Sequence, residues 1–283
     1  MVPAVRRRTA RVLARDLFRS RGGGSPAFFL HWARRVPADV EILAAALPGR
    51  EQRLAEPAAA DMNELAGALT GALFPLLDRP AVLFGHSMGA AVALEVTRRA
   101  EAAGAGPLAG LVVSGCAGPH RGRRPAPASD TFTDEELTAR LRELGGTPDE
   151  LLDDAGMRGL ILSAFRDDLR IIGPHRPAAG PRVGTPVRVL LGGDDPATSP
   201  GDGPRWAAAS ERFAGLRTLP GGHFFPLDHP REVIAEVLGM ARPTRADAHA
   251  PTPSPRNGPR PGPDTPARTA GHPGTDSTKG RPC

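Results

Sequence analysis

The chain has 283 residues, 40% of them hydrophobic and 24% charged, which leaves room for one α/β domain with a full core. No run approaches the ~18 consecutive apolar residues of a membrane-spanning helix. The net charge of +5 sits in the flanks: residues 1–21 hold seven arginines and one aspartate, and residues 243–283 hold five arginines, one lysine and three aspartates. The body between them is mildly acidic, so no basic face points to nucleic acid.

Residues 1–21 form a basic N-terminal segment. They lack the apolar stretch of ~7–15 residues that a secretory leader carries, and a strand with so much charge would sit badly in a sheet covered on both faces. From Gly22 to Arg242 short apolar runs alternate with helical spacing. Residues 41–46 read as a strand stopped by Leu47-Pro48-Gly49, and 62–77 as a helix with Leu65, Leu69, Leu73 and Leu76 on one side. Residues 81–84 form a buried strand, 90–103 a helix, and 108–114 another apolar strand. Residues 187–191 and 216–219 are strands again, and 229–241 close as an amphipathic helix. This alternation predicts an α/β fold, with a mostly parallel central sheet and helices on both faces.

About 70 residues between the strands at 114 and 187 carry no strand signal. They hold Thr133-Asp134-Glu135-Glu136, a helix start, then Leu137, Leu141 and Leu144 at helical spacing, with further helices at 148–152 and 157–172. A helical insertion at about 120–180 is the usual form of a lid over a site. Residues 243–283 have ten prolines, five glycines and no large aliphatic or aromatic residue, and a disordered tail is expected. Cys116 has only Cys283 as a partner, which argues against a disulfide framework and for a cytoplasmic protein.

Residues 85–89 read Gly-His-Ser-Met-Gly, the G-x-S-x-G pattern of a nucleophile elbow between a strand and a helix. Glycine on both sides lets Ser87 stand exposed in a tight turn, and the N–H of Met88 can hold an oxyanion at the helix N-terminus. An activated serine needs a histidine base and an acid to orient it, in α/β-hydrolases in the order serine, acid, histidine. The strand at 187–191 runs into Gly192-Gly193-Asp194-Asp195-Pro196, which puts two carboxylates at a strand's carboxyl end, the catalytic edge of a parallel sheet. Further on, Leu219-Pro220-Gly221-Gly222-His223-Phe224-Phe225 carries a histidine on a glycine-rich loop after the last strand. His86 lies inside the elbow and is read as shaping the site. His120 and His175 adjoin prolines, and His229 opens the last helix. No Cys, His and carboxylate set has metal-ligand spacing, and no phosphate or dinucleotide loop is present, so neither metal nor cofactor is expected.

Several segments go beyond these general signals. Leu47-Pro48-Gly49-Arg50-Glu51 with Arg53-Leu54, Phe84 to Ala90, Val113-Ser114-Gly115, Leu144-Gly145-Gly146-Thr147-Pro148 and Pro220 to Phe225 resemble the type II thioesterases. These are the stand-alone editing hydrolases of polyketide and nonribosomal peptide biosynthesis. The likeness runs from about Gly22 to Leu238. It implies an α/β-hydrolase that removes acyl groups from the phosphopantetheine arm of acyl or peptidyl carrier proteins, the arm belonging to the substrate. It further implies Ser87 as nucleophile, His223 as base and Asp195 as acid, with Asp194 second. Phe28, Phe29, His86, Phe224 and the lid helices with Leu137 and Leu141 would form the acyl pocket and its cover. A monomer with carrier proteins as partners is expected. The chain departs from the family where F-P-H-A precedes the glycines: Arg19, Ser20 and Arg21 stand in place of Pro, His and Ala, so the second oxyanion donor falls to Arg21. Two other readings stand beside this one: a catalytically impaired relative that only docks carrier domains, and a general carboxylesterase.

Overall fold

The structure is a computed structural model and describes residues 10–15, 27–105, 108–119, 131–175 and 182–241. Six strands among them form one sheet: β1 (Ala10–Arg15), β2 (Val40–Ala44), β3 (Ala81–His86), β4 (Leu108–Ser114), β5 (Val187–Gly192) and β6 (Phe213–Leu219). They lie in the order β2-β1-β3-β4-β5-β6, and every pairing is parallel. The helices are α1 (Ala27–Ala33), α2 (Met62–Leu73), α3 (Met88–Ala102), α4 (Asp134–Leu144), α5 (Asp149–Asp153), α6 (Ala155–Ile172), α7 (Gly203–Ala207), α8 (Phe225–Asp228) and α9 (Pro230–Ala241).

Strand periodicity sends alternate residues of β3, β4 and β5 to opposite sides, and two cores result. Leu83, Val113 and Val189 join Leu65 of α2 and Val92 of α3 on one side. Val82, Phe84, Val112 and Leu190 join Trp32 of α1 and Val237 of α9 on the other. This is the parallel sheet, covered on both faces, that the continuous apolar strands require.

The first strand corrects the sequence reading. Residues 10–15, assigned above to the basic segment ahead of the domain, form β1 and pair with β2 on one edge and β3 on the other. A ladder needs only backbone N–H and C=O groups, which arginine supplies as valine does. The hydrophobic pattern therefore underrates this strand. Helix 62–77 is also shorter than its spacing suggests: α2 ends at Leu73 and passes into a 3-10 turn, Phe74–Leu76, because Pro75 has no N–H to continue the helix.

Among the described residues the insertion forms the helices α4, α5 and α6, with a small core of their own built from Leu137, Leu141, Leu152, Ile161, Leu162 and Phe165. A capping box between Thr133 and Glu136 starts α4 where the sequence places it. Arg21, His120, Cys283 and the tail at 243–283 lie outside the described residues, as does the side chain of Phe28.

Candidate active site

β3 runs into α3 through Ser87, whose φ is 55° and ψ −125°. Among the described residues it is the one non-glycine with positive φ, a strained conformation of the kind that persists at functional sites. The turn tolerates nothing larger than glycine at 85, where a Cβ would fall 2.1 Å from the carbonyl oxygen of Gly89. The Ser87 N–H donates to the carbonyl of Ser114 at 2.8 Å, which ties the elbow to the end of β4. Met88 opens α3, and its N–H is among those that an α-helix leaves without an internal acceptor.

The loops after β5 and β6 bring the partners. His223 Nε2 is 3.0 Å from Ser87 Oγ, and His223 Nδ1 is 3.0 and 3.1 Å from the two oxygens of Asp195. Asp195 is 5% exposed and His223 2%. The alternative carboxylate, Asp194, is exposed, and its main chain N–H donates to the carbonyl of Gly221, joining the two loops at 3.0 Å. Of the two neighbouring carboxylates, Asp195 meets the histidine.

Asp195 also accepts from the Ala197 N–H at 2.9 Å and from the Thr198 hydroxyl at 3.0 Å. Burial alone would raise its pKa. The hydrogen bond and charge of His223, with the donors at 197 and 198, outweigh burial and hold the carboxyl below its ordinary value. Asp195 is therefore an anion fixed at Nδ1, which directs a proton to that nitrogen and leaves Nε2 as the acceptor facing the serine hydroxyl. Sequence reasoning passed over both donors at 197 and 198, although an aspartate that opens a turn signals acceptance from the N–H two residues on, here that of Ala197.

His86 is 1% exposed. Its Nδ1 is 2.9 Å from Ser114 Oγ, and its ring lies 4.9 Å from that of His223. Burial, then the neighbouring His223, pushes its pKa well below the ordinary value despite the opposing charge of Asp195. A neutral ring is thus packed beside the relay, in keeping with a residue that shapes the site. Gly115 makes room for both imidazoles: a Cβ there would lie 2.5 Å from His86 Cε1 and 3.4 Å from His223 Cε1. Phe224 is buried against both rings.

Three of the residues expected at the acyl pocket or in its lid are buried against protein. Phe29 is 3% exposed and packs edge-on against Trp32 and Phe84 in the core on the α1 and α9 side. Leu137 and Leu141 are spent in the lid's own core. Apolar spacing identifies a buried face without saying what buries it, and here each face meets protein. An apolar cavity of about 370 Å³ lies elsewhere, lined by Gly89, Val92 and Ala93 of α3, Leu69 and Leu73 of α2, and Leu43 of β2. Among the described residues no group of His, Cys, Asp or Glu could hold a metal ion, and no helix is long and apolar enough to cross a membrane.

A model of the thioesterase domain matches residues 20–239. The chain is similar to the "Probable cadicidin biosynthesis thioesterase" of Streptomyces griseus, at 36% identity over 79% of this chain and 61% of that one. It is also similar to the AMB antimetabolite synthetase AmbE of Pseudomonas aeruginosa, at 35% identity over 75% of this chain and 10% of that one. The chain therefore spans under two thirds of the length of these two relatives. Among solved structures it resembles the type II thioesterase BorB from the borrelidin biosynthetic cluster. The TM-score is 0.73 at 33% identity, over 85% of this chain and 94% of that one.

Proposed function

The chain belongs to the thioesterase domain family, and we propose that it hydrolyses acyl thioesters carried on the phosphopantetheine arm of acyl or peptidyl carrier proteins in polyketide or nonribosomal peptide biosynthesis. The observation that carries this reading is the hydrogen-bonded line from Ser87 through His223 to Asp195. Similarity to thioesterases of biosynthetic clusters supports the choice of a thioester over an oxygen ester.

In the proposed reaction His223 Nε2 takes the proton of Ser87 Oγ as the oxygen attacks the thioester carbonyl. The tetrahedral oxyanion is held by the N–H of Met88, with that of Arg21 as the proposed second donor. Collapse breaks the carbon–sulfur bond, and His223 returns the proton to the pantetheine thiolate. Water then attacks the acyl-serine, giving its proton to His223, and the acid leaves as Ser87 Oγ takes the proton back. Asp195 keeps the imidazole oriented and stabilises its protonated form. The acyl chain would have apolar room beside α3, in the cavity that reaches Gly89. The protein would act as a cytoplasmic monomer without a cofactor of its own.

The test is the intact mass of an acetyl-loaded carrier protein incubated with the protein, beside Ser87→Ala. Loss of the acetyl mass with the wild type and not with the variant is expected. Retention with both folded proteins overturns the reading. Faster turnover of p-nitrophenyl acetate than of the carrier thioester assigns it to general carboxylesterases instead.

A further inference from the structure

The lid and the relay meet at one aromatic ring. Phe224 follows His223 directly, and its ring stands edge-on to the imidazole, with centroids 5.2 Å apart and planes at 86°. It also tilts against His86 at 5.6 Å. The same ring lies against Gly146, just past the end of α4: a Cβ added there would fall 2.3 to 2.6 Å from three of its carbons. That distance leaves no space for a side chain without displacing either the ring or the end of the lid helix.

Two adjacent glycines separate this contact from simple backbone need. Gly145 and Gly146 have φ of 75° and 78°, so both occupy a conformation that favours glycine. At Gly145, however, an added Cβ meets nothing within 4 Å. Conformation alone explains the first glycine, and the second must in addition admit Phe224.

His223 is tethered at Nδ1 by Asp195, but a hydrogen bond at one ring nitrogen leaves the imidazole able to swing. Packing by Phe224 and His86 limits that swing and keeps Nε2 on Ser87. We propose that Phe224 is a positioning residue that couples the lid to the catalytic base: while the end of α4 bears on its ring, His223 is held at hydrogen-bonding distance from Ser87, and displacement of the lid releases it. The proposal rests on the hydrolase reading above and adds a residue and a regulation to it.

The experiment compares Gly145→Ala, Gly146→Ala, Phe224→Ala and the double variant Gly146→Ala/Phe224→Ala, using the acetyl thioester of N-acetylcysteamine as a substrate too small to need the lid. Gly146→Ala is expected to lower kcat ~10- to 100-fold with KM little changed, the cost of a displaced catalytic group. Gly145→Ala, at a neighbouring glycine of positive φ but without the contact to Phe224, keeps kcat within about twofold, and thermal midpoints measure what each substitution costs in stability. In the Phe224→Ala background, Gly146→Ala adds no further loss, because the two residues act through one contact. Equal kcat for the two glycine variants, additive losses in the double variant, or an effect on KM alone overturns the coupling. If the wild type cleaves no thioester, the hydrolase reading fails on its own. The rate at which a fluorophosphonate labels Ser87 in the same variants then decides the coupling separately.

Discussion

The sheet domain and the lid bury their apolar residues on different scales. Among the described residues the sheet has two cores, one per face, that draw on strands β3 to β6 and on helices α1, α2, α3, α6, α7, α8 and α9. The lid has six core residues from three helices. It is joined to the domain by the end of α6, where Ile171 enters the larger core, and by polar ties. Arg50, in the loop after β2, forms a buried ion pair with Asp168 of α6, and Arg170 donates to the carbonyls of Ala59 and Ala60. The relay stands on the first region, since Ser87, Asp195 and His223 all follow strands of the sheet. The contrast teaches that the proposed relay stands where positions are fixed many times over, and the helical insertion is held where a few bonds decide.

Within the sheet domain the largest effect should come from the acid. Asp195→Asn is expected to lower kcat by ~10³- to 10⁴-fold, because the amide favours the wrong tautomer of His223. Asp194→Asn, one residue away and exposed, should stay within about twofold. Comparable losses in both would mean that the loop, and not one carboxylate, supports the histidine.

At the lid attachment the effect moves from rate to stability. Arg50 is 5% exposed and Asp168 1%, so removing either partner leaves a charge buried. Asp168→Ala should cost about 3–5 kcal/mol in urea denaturation. Replacing both, as Arg50→Met with Asp168→Leu, should recover most of that loss. If the single variant costs less than about 1 kcal/mol, the pair is not what seats α6.

The smallest effect separates two of the buried titratable groups of the site, His86 and Asp195. Burial holds the pKa of His86 well below its ordinary value, so the unfolded chain takes up protons first as pH falls. Stability is therefore full above the ordinary histidine value of about 6.5 and declines as pH drops below it. The carboxyl of Asp195 is shifted down, so its contribution is full above the ordinary aspartate value and is lost only as pH falls through its lower folded value. Between pH 7.5 and 5.5 the denaturation midpoint should thus fall because of His86. That fall should shrink in His86→Asn, whose amide can still bond Ser114 but does not titrate. An unchanged slope would place the pH dependence elsewhere.

Much of this was legible along the chain. The elbow is local: Gly85, Ser87 and the start of α3 are consecutive, and steric exclusion at Gly85 acts over four residues. The central strands announced themselves through continuous apolar runs, and α4 through its capping box, since both signals belong to one element. The order of serine, carboxylate and histidine was readable for the same reason, each residue following its own strand.

What depended on distant neighbours was not legible. Backbone pairing placed β1 inside the sheet despite its arginines, because a ladder is indifferent to side-chain charge. The meeting of two loops selected Asp195 over Asp194, which the sequence offers side by side. Phe29 reads as apolar and buried, but only the packing decided that it faces Trp32 and Phe84; Leu137 and Leu141 read as lid residues, and only the packing decided that they face the lid's own core. The contact of Gly146 with Phe224 joins residues 78 positions apart. One-dimensional pattern records which side of an element avoids water; what waits on that side is set by close packing between elements, and it exists only once the chain has folded.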